Sequence, residues 1–192
     1  MQNTSNLSYI NNKKVINIKS EVLYREAEDD FFYFNKINSA LKKLEYAVEL
    51  TPTHLKSLMM CADIYFIKGN IKKALETYQK LIAIGENSAK CISAISNCYY
   101  SLKEYGKAIV WVDKAVDILK NDNLELYSQL IEIKINSLVE MKKYKQAYIT
   151  FIQAQNVMDT ASLKNIYNSN YELINEKLKL QKKLKQSRLK IV

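Results

Sequence analysis

The side chains best suited to chemistry are few and scattered. His54 is the only histidine. Without a second imidazole to share a metal and without a nucleophile at matching spacing, it reads as a surface or capping residue at a helix start. Cys61, Cys91 and Cys98 are an odd set lacking paired spacing, so they read as reduced packing residues rather than disulfide partners or metal ligands. Asp29-Asp30 and Glu140 are carboxylates of the kind that normally sit solvated on a helix. With three glycines in the chain there is no phosphate-cradling loop. These residues predict a non-catalytic protein with no metal and no cofactor, whose function must come from the shape and lining of a surface.

The elements that would build such a surface are all helical. The 192 residues are 48% hydrophobic and hold one proline, and no stretch has a strand's alternation. Residues 89–120 give the clearest pattern. Ile92, Ile95 and Tyr99 share one helical face, Lys103-Glu104-Tyr105-Gly106 reads as a turn, and Ala108, Val112, Ala115 and Val116 resume a helical stripe. The pattern recurs. Ala108 has counterparts at Ala40, Ala74 and Ala147, spaced 34, 34 and 39 residues apart. The same spacings hold for Phe31, Tyr65, Tyr99 and Leu138, for Ile37, Ile71, Tyr105 and Tyr144, for Leu44, Tyr78, Val112 and Phe151, and for Ala47, Leu81, Ala115 and Ala154.

Five columns in register over four units resemble the tetratricopeptide repeat, a helix-turn-helix unit of about 34 residues, and the chain is similar to small bacterial-type members of that family. The resemblance implies an all-α fold: an α-solenoid of about four helical hairpins plus a C-terminal capping helix. The expected units are about 21–52, 55–86, 89–120 and 124–157, within an array at 20–159. The alanine column lets the second helix of each hairpin cross close to the first. The five extra residues before the fourth unit predict a first helix there that starts near Leu124 and is longer by a turn. The small residue expected in the first helix is Ala62 and Ser96 in the inner units, but Glu28 and Ile135 in the outer ones. Residues 1–19 are polar and read as a disordered or loosely docked segment. Residues 160–192 read as the capping helix with a basic tail.

The resemblance also implies a concave groove lined by the first helices. Its positions fall on Arg25, Phe32, Met59, Asp63, Phe66, Lys90, Asn97, Tyr100 and Asn136, with Val22, Ile67 and Ser93 beside them. Such a lining suits an extended or helical segment of another protein, so the expected role is a scaffold, adaptor or chaperone with a protein or peptide ligand. Modules of this family that clamp the C-terminal carboxylates of heat-shock chaperones use five Lys, Arg and Asn side chains. Arg25 and Lys90 fit that set, whereas Asp29, Met60 and Ala94 depart from it, and the clamp is not expected here.

Charge supplies the alternative. The net charge is +9, yet seven of the 29 basic residues follow Glu176, leaving 22 against 20 acidic residues before that point. Lys179, Lys182, Lys183, Lys185 and Arg188 could hold a nucleic acid or an anionic membrane surface, and a second apolar stripe on the last helix could serve self-association. No apolar run approaches a membrane span of about 18 residues, and the first residues carry no secretory apolar block. The expected location is therefore cytoplasmic.

Overall fold

The computed structural model describes residues 2–119, 123–157 and 172–179. Among them there is no strand. The first compact unit, Met1–Asn87, holds α1 (Gln2–Phe32), α2 (Ile37–Leu50), α3 (Leu55–Ile67) and α4 (Ile71–Ala83). In it α1 packs on α2, α2 on α3, α3 on α4, and α1 also touches α3. The second, Ser88–Val192, holds α5 (Ala89–Ser101), α6 (Tyr105–Leu119), α7 (Leu124–Glu140) and α8 (Tyr144–Gln155). It repeats the same packing, with α5 on α6, α6 on α7, α7 on α8, and α5 also on α7. Each unit is thus two helical hairpins laid side by side.

The repeating columns are the interior. Ala40, Ala74, Ala108 and Ala147 are all fully buried, as are Ala47, Leu81, Ala115 and Ala154. Leu44, Tyr78, Val112 and Phe151 are at most 3% exposed, so the large residue of each hairpin fills the space that the alanine opens. In α1 a fully buried small residue, Ala27, stands next to the column position, while Glu28, the column position, is half-buried and accepts the Tyr24 hydroxyl.

A further column emerges in the turns. Asn35, Gly69, Lys103 and Lys142 all have positive φ, between 52° and 77°, and they stand 34, 34 and 39 residues apart like the alanines. Each ends the first helix of its hairpin. In all four, the residue after the left-handed one donates back to a helical carbonyl: Lys36 to Asp30, Asn70 to Tyr65, Glu104 to Tyr99 and Lys143 to Leu138. This closes the helix end and turns the chain. The third turn accordingly lies at 102–104, and Tyr105 and Gly106 belong to α6, so the turn begins one residue earlier than the apolar pattern placed it.

Residues 2–19 depart from expectation more clearly. They are the first part of α1, a helix of 31 residues and so about 46 Å long, rather than a disordered or loosely docked segment. No glycine or proline occurs before Pro52, so nothing stops a helix nucleated by the packed residues from growing toward the N-terminus. Polar contacts anchor it. Ser20, fully buried, donates to the Ala47 carbonyl and shares a 2.8 Å hydrogen bond with Thr51, and Lys19 donates to the Tyr46 hydroxyl.

The fourth hairpin follows the sequence. α7 begins at Leu124 and has 17 residues where α3 and α5 have 13, and Asn123 caps it by accepting from the Leu126 amide. Residues 172–179 are helical, with Ile174 buried. The remainder of the expected capping helix and basic tail lies outside the described residues.

Candidate functional site

Register on α1 and α3 decides what the first unit presents. In α3 the buried positions are Ser57, Leu58, Met60, Cys61, Ala62, Ile64 and Tyr65. That leaves Lys56, Met59, Asp63, Phe66 and Ile67 toward the other side at helical spacing. Phe32, Asp63 and Phe66, all expected groove residues, come together with Phe31 and Ile67 around a cleft of about 360 Å³. Met60, not Met59, joins that lining; Met59 is half-buried. The cleft has a soft apolar wall, since Phe32 is 68% and Ile67 60% exposed. Phe31 and Phe32 meet edge to face with ring centroids 5.0 Å apart.

One polar group stands in this wall. The Tyr78 hydroxyl, reaching from the core of α4, donates to Asp63 Oδ1. That bond holds the carboxylate in place.

Farther toward the start of the two helices the charges are paired. Glu21 meets Arg25 at 3.6 Å and Lys56 at 2.9 Å, and the Lys56 hydrogen bond holds its carboxyl below the usual range. Lys56 also lies over the Tyr24 ring, 5.5 Å from its centroid. Burial first, and the bond to Glu28 second, push the Tyr24 phenol up to about 12.

The second unit carries the other expected groove residues. On α5, Lys90 is exposed and Asn97 and Tyr100 are half-buried, three residues apart on one face. The Asn97 amide has no hydrogen bond among the described residues, whereas Asn136 on α7 is already engaged. Tyr100 packs on Tyr105 at 5.7 Å. Its phenol is raised by burial and then by Glu140, Tyr105 and Glu132. Ser93, expected beside the groove, is instead 4% exposed. It faces inward with Ile92 and Ser96, because α5 buries its small residues at the close crossing.

Sequence reasoning passed over a second cleft. It has a volume of about 760 Å³ and is lined by Ile16, Asn17, Glu21, Leu50, Pro52 and His54, among others. It exists because α1 runs back past the end of α2, and the polar composition of 1–19 gave no sign of that. Here His54 stands between two partners, Ser57 Oγ at 2.7 Å from Nδ1 and Glu21 Oε2 at 3.2 Å from Nε2. The order hydroxyl, imidazole, carboxylate is that of a hydrolase triad. Ser57 is fully buried, however, and no substrate carbonyl can reach it. Three residues apart at the start of α3, the pair fixes the helix entry.

Of the five basic residues proposed for polyanions, Lys179 is exposed; Lys182, Lys183, Lys185 and Arg188 lie outside the described residues. The cysteines are buried, and burial pushes the Cys61 thiol up to about 12. Among the described residues no helix is long and apolar enough to cross a membrane.

Known proteins supply a frame for this geometry. A family model described as anaphase-promoting complex, cyclosome, subunit 3 matches residues 35–115. The general transcriptional corepressor trfA of Dictyostelium discoideum is 27% identical over 84 residues, 44% of this chain and 6% of that protein's length. Among solved structures, YrrB, described as a TPR protein with an unusual peptide-binding site, superposes with a TM-score of 0.61 at 17% identity, covering 81% of this chain and 78% of its own. The first TPR of Spaghetti (RPAP3), bound to the HSP90 peptide SRMEEVD, gives 0.54 at 17% identity over 60% of this chain and 90% of its own. At these identities the structures establish the fold.

Proposed function

We propose that this chain, which has the tetratricopeptide-repeat fold, captures a segment of a partner protein on the face formed by α1 and α3, as a scaffold, adaptor or chaperone. The observation that carries this reading is the cleft between Phe31, Phe32, Phe66 and Ile67. A face that leaves two large apolar side chains at 60% exposure or more is unfavourable in water and is relieved when an apolar side chain of a ligand covers it. Two of the similar structures are described as having a peptide site or a bound peptide, which supports a peptide as the ligand class.

The test is a double substitution. Phe66→Ala with Phe32→Ala weakens capture of a bound segment at least about tenfold while the circular dichroism spectrum and melting curve keep their two-state form. Unchanged affinity in that variant, with loss of affinity on changing exposed residues of α2 and α4, overturns the reading.

A further inference from the structure

The charges around the cleft select among peptides. Arg25 and Lys56, the basic side chains among the expected groove positions of the first unit, both meet the carboxylate of Glu21. Asp29 and Asp63 form no ion pair among the described residues. Asp29 is exposed on α1, one turn before Phe32, and Asp63 lines the cleft half-buried. Tyr78 engages one Asp63 oxygen, and the other is open to a ligand. The apolar walls lower the local dielectric, so an uncompensated carboxylate there attracts a cation more strongly than one in open solvent.

From this we infer that the cleft takes a segment in which a large apolar side chain is flanked by arginine or lysine. Such a ligand places its apolar group between Phe32, Phe66 and Ile67 and its guanidinium or ammonium on Asp63 and Asp29. An acidic ligand meets the same carboxylates as a like charge, and the preference is therefore set by repulsion as much as by attraction. The inference rests on the α1/α3 face being the binding face.

Three labelled peptides, each with one central phenylalanine flanked by arginine, alanine or glutamate, separate the possibilities when titrated into the full chain. The arginine peptide binds about tenfold more tightly than the alanine peptide, the glutamate peptide binds more weakly than either, and the difference shrinks between about 50 mM and about 500 mM salt. Asp63→Asn retains an acceptor for the Tyr78 hydroxyl, so the wall stands while the charge is lost. Combined with Asp29→Asn it brings the arginine peptide to the affinity of the alanine peptide. Asp29→Asn alone, at an exposed position, gives part of the same loss with no effect on folding. Equal binding of all three peptides, or tightest binding of the glutamate peptide, overturns the charge inference and leaves the groove reading in place. If the alanine peptide's binding is indifferent to Phe66→Ala, the groove reading itself fails, and the inference with it.

Discussion

The two units pack their helices in the same order and differ in what they show to solvent. In the first, the face of α1 and α3 carries a cleft of aromatic and aliphatic side chains around Asp63. In the second, α5, α7 and the first residue of α6 present Asn97, the Tyr100–Tyr105 pair and the carboxylates of Glu132 and Glu140. The column residues are almost interchangeable between them: four alanines fully buried at one position, and Leu44, Tyr78, Val112 and Phe151 at another. Positions inside the repeat lattice are therefore constrained by the crossing of two helices, and positions outside it are free to be used for recognition.

The widest break in the likeness of the two interiors comes from the largest of their fully buried side chains. Phe151→Ala empties a side chain that is 1% exposed and lowers stability by about 3–5 kcal/mol. Denaturant unfolding reads this as a lower midpoint with an unchanged slope. A loss below about 1 kcal/mol would mean that α8 adds little to its unit. The alanine column comes next: Ala108→Leu forces three extra carbon atoms into a close crossing and costs roughly 1–3 kcal/mol. The same change at Ala74 in the first unit has a similar cost if the crossings are equivalent. A melting temperature unmoved by either change would contradict the packing.

Two buried serines sharpen the contrast. Ser20 in the first unit is fully satisfied by Ala47 and Thr51, so Ser20→Ala costs about 1 kcal/mol and frees the N-terminal part of α1, which hydrogen exchange detects. The Ser137 hydroxyl in the second unit is buried with no partner among the described residues. Ser137→Ala is therefore neutral or stabilising by up to about 1 kcal/mol. Opposite signs at two buried serines are the expected result.

The smallest effects lie in the left-handed turns. Gly69 has φ of 77° and open space where a Cβ would stand, so Gly69→Ala costs about 1 kcal/mol for backbone conformation alone. At the equivalent place in the second unit Lys103 already bears that strain, with φ of 60°. Lys103→Gly gains a few tenths of a kcal/mol after glycine's extra chain entropy is subtracted. Equal and negligible changes at both sites would show that the shared φ carries no energetic weight.

These comparisons also explain what was legible in the residues. The alanine and large-residue columns were readable because burial at a helix crossing restricts residue type, and the 17-residue α7 followed from spacing alone. The left-handed column was hidden: asparagine, glycine and two lysines fill it, and only geometry unites them. The N-terminal half of α1 was missed because its stability comes from Ser20, Lys19 and Asn17 meeting α2 and the residues after it, contacts that a polar composition does not announce. Within the cleft, Phe32, Asp63 and Phe66 were found by register. The exchange of Met59 for Met60, and the inward turn of Ser93, reflect rotations of a single helix position that only packing decides.

The central claim is that the α1/α3 face of the first unit is where a partner segment sits. Amide and side-chain NMR shifts of the isotope-labelled chain, followed while a phenylalanine-containing peptide is added, test it directly. The account predicts saturable shifts at Asp63, Phe66, Ile67 and Phe32, with the Tyr78 ring responding through its bond to Asp63. Shifts confined to exposed residues of α2 and α4, such as Tyr46 and Lys73, with the cleft residues unmoved at saturation, would contradict it.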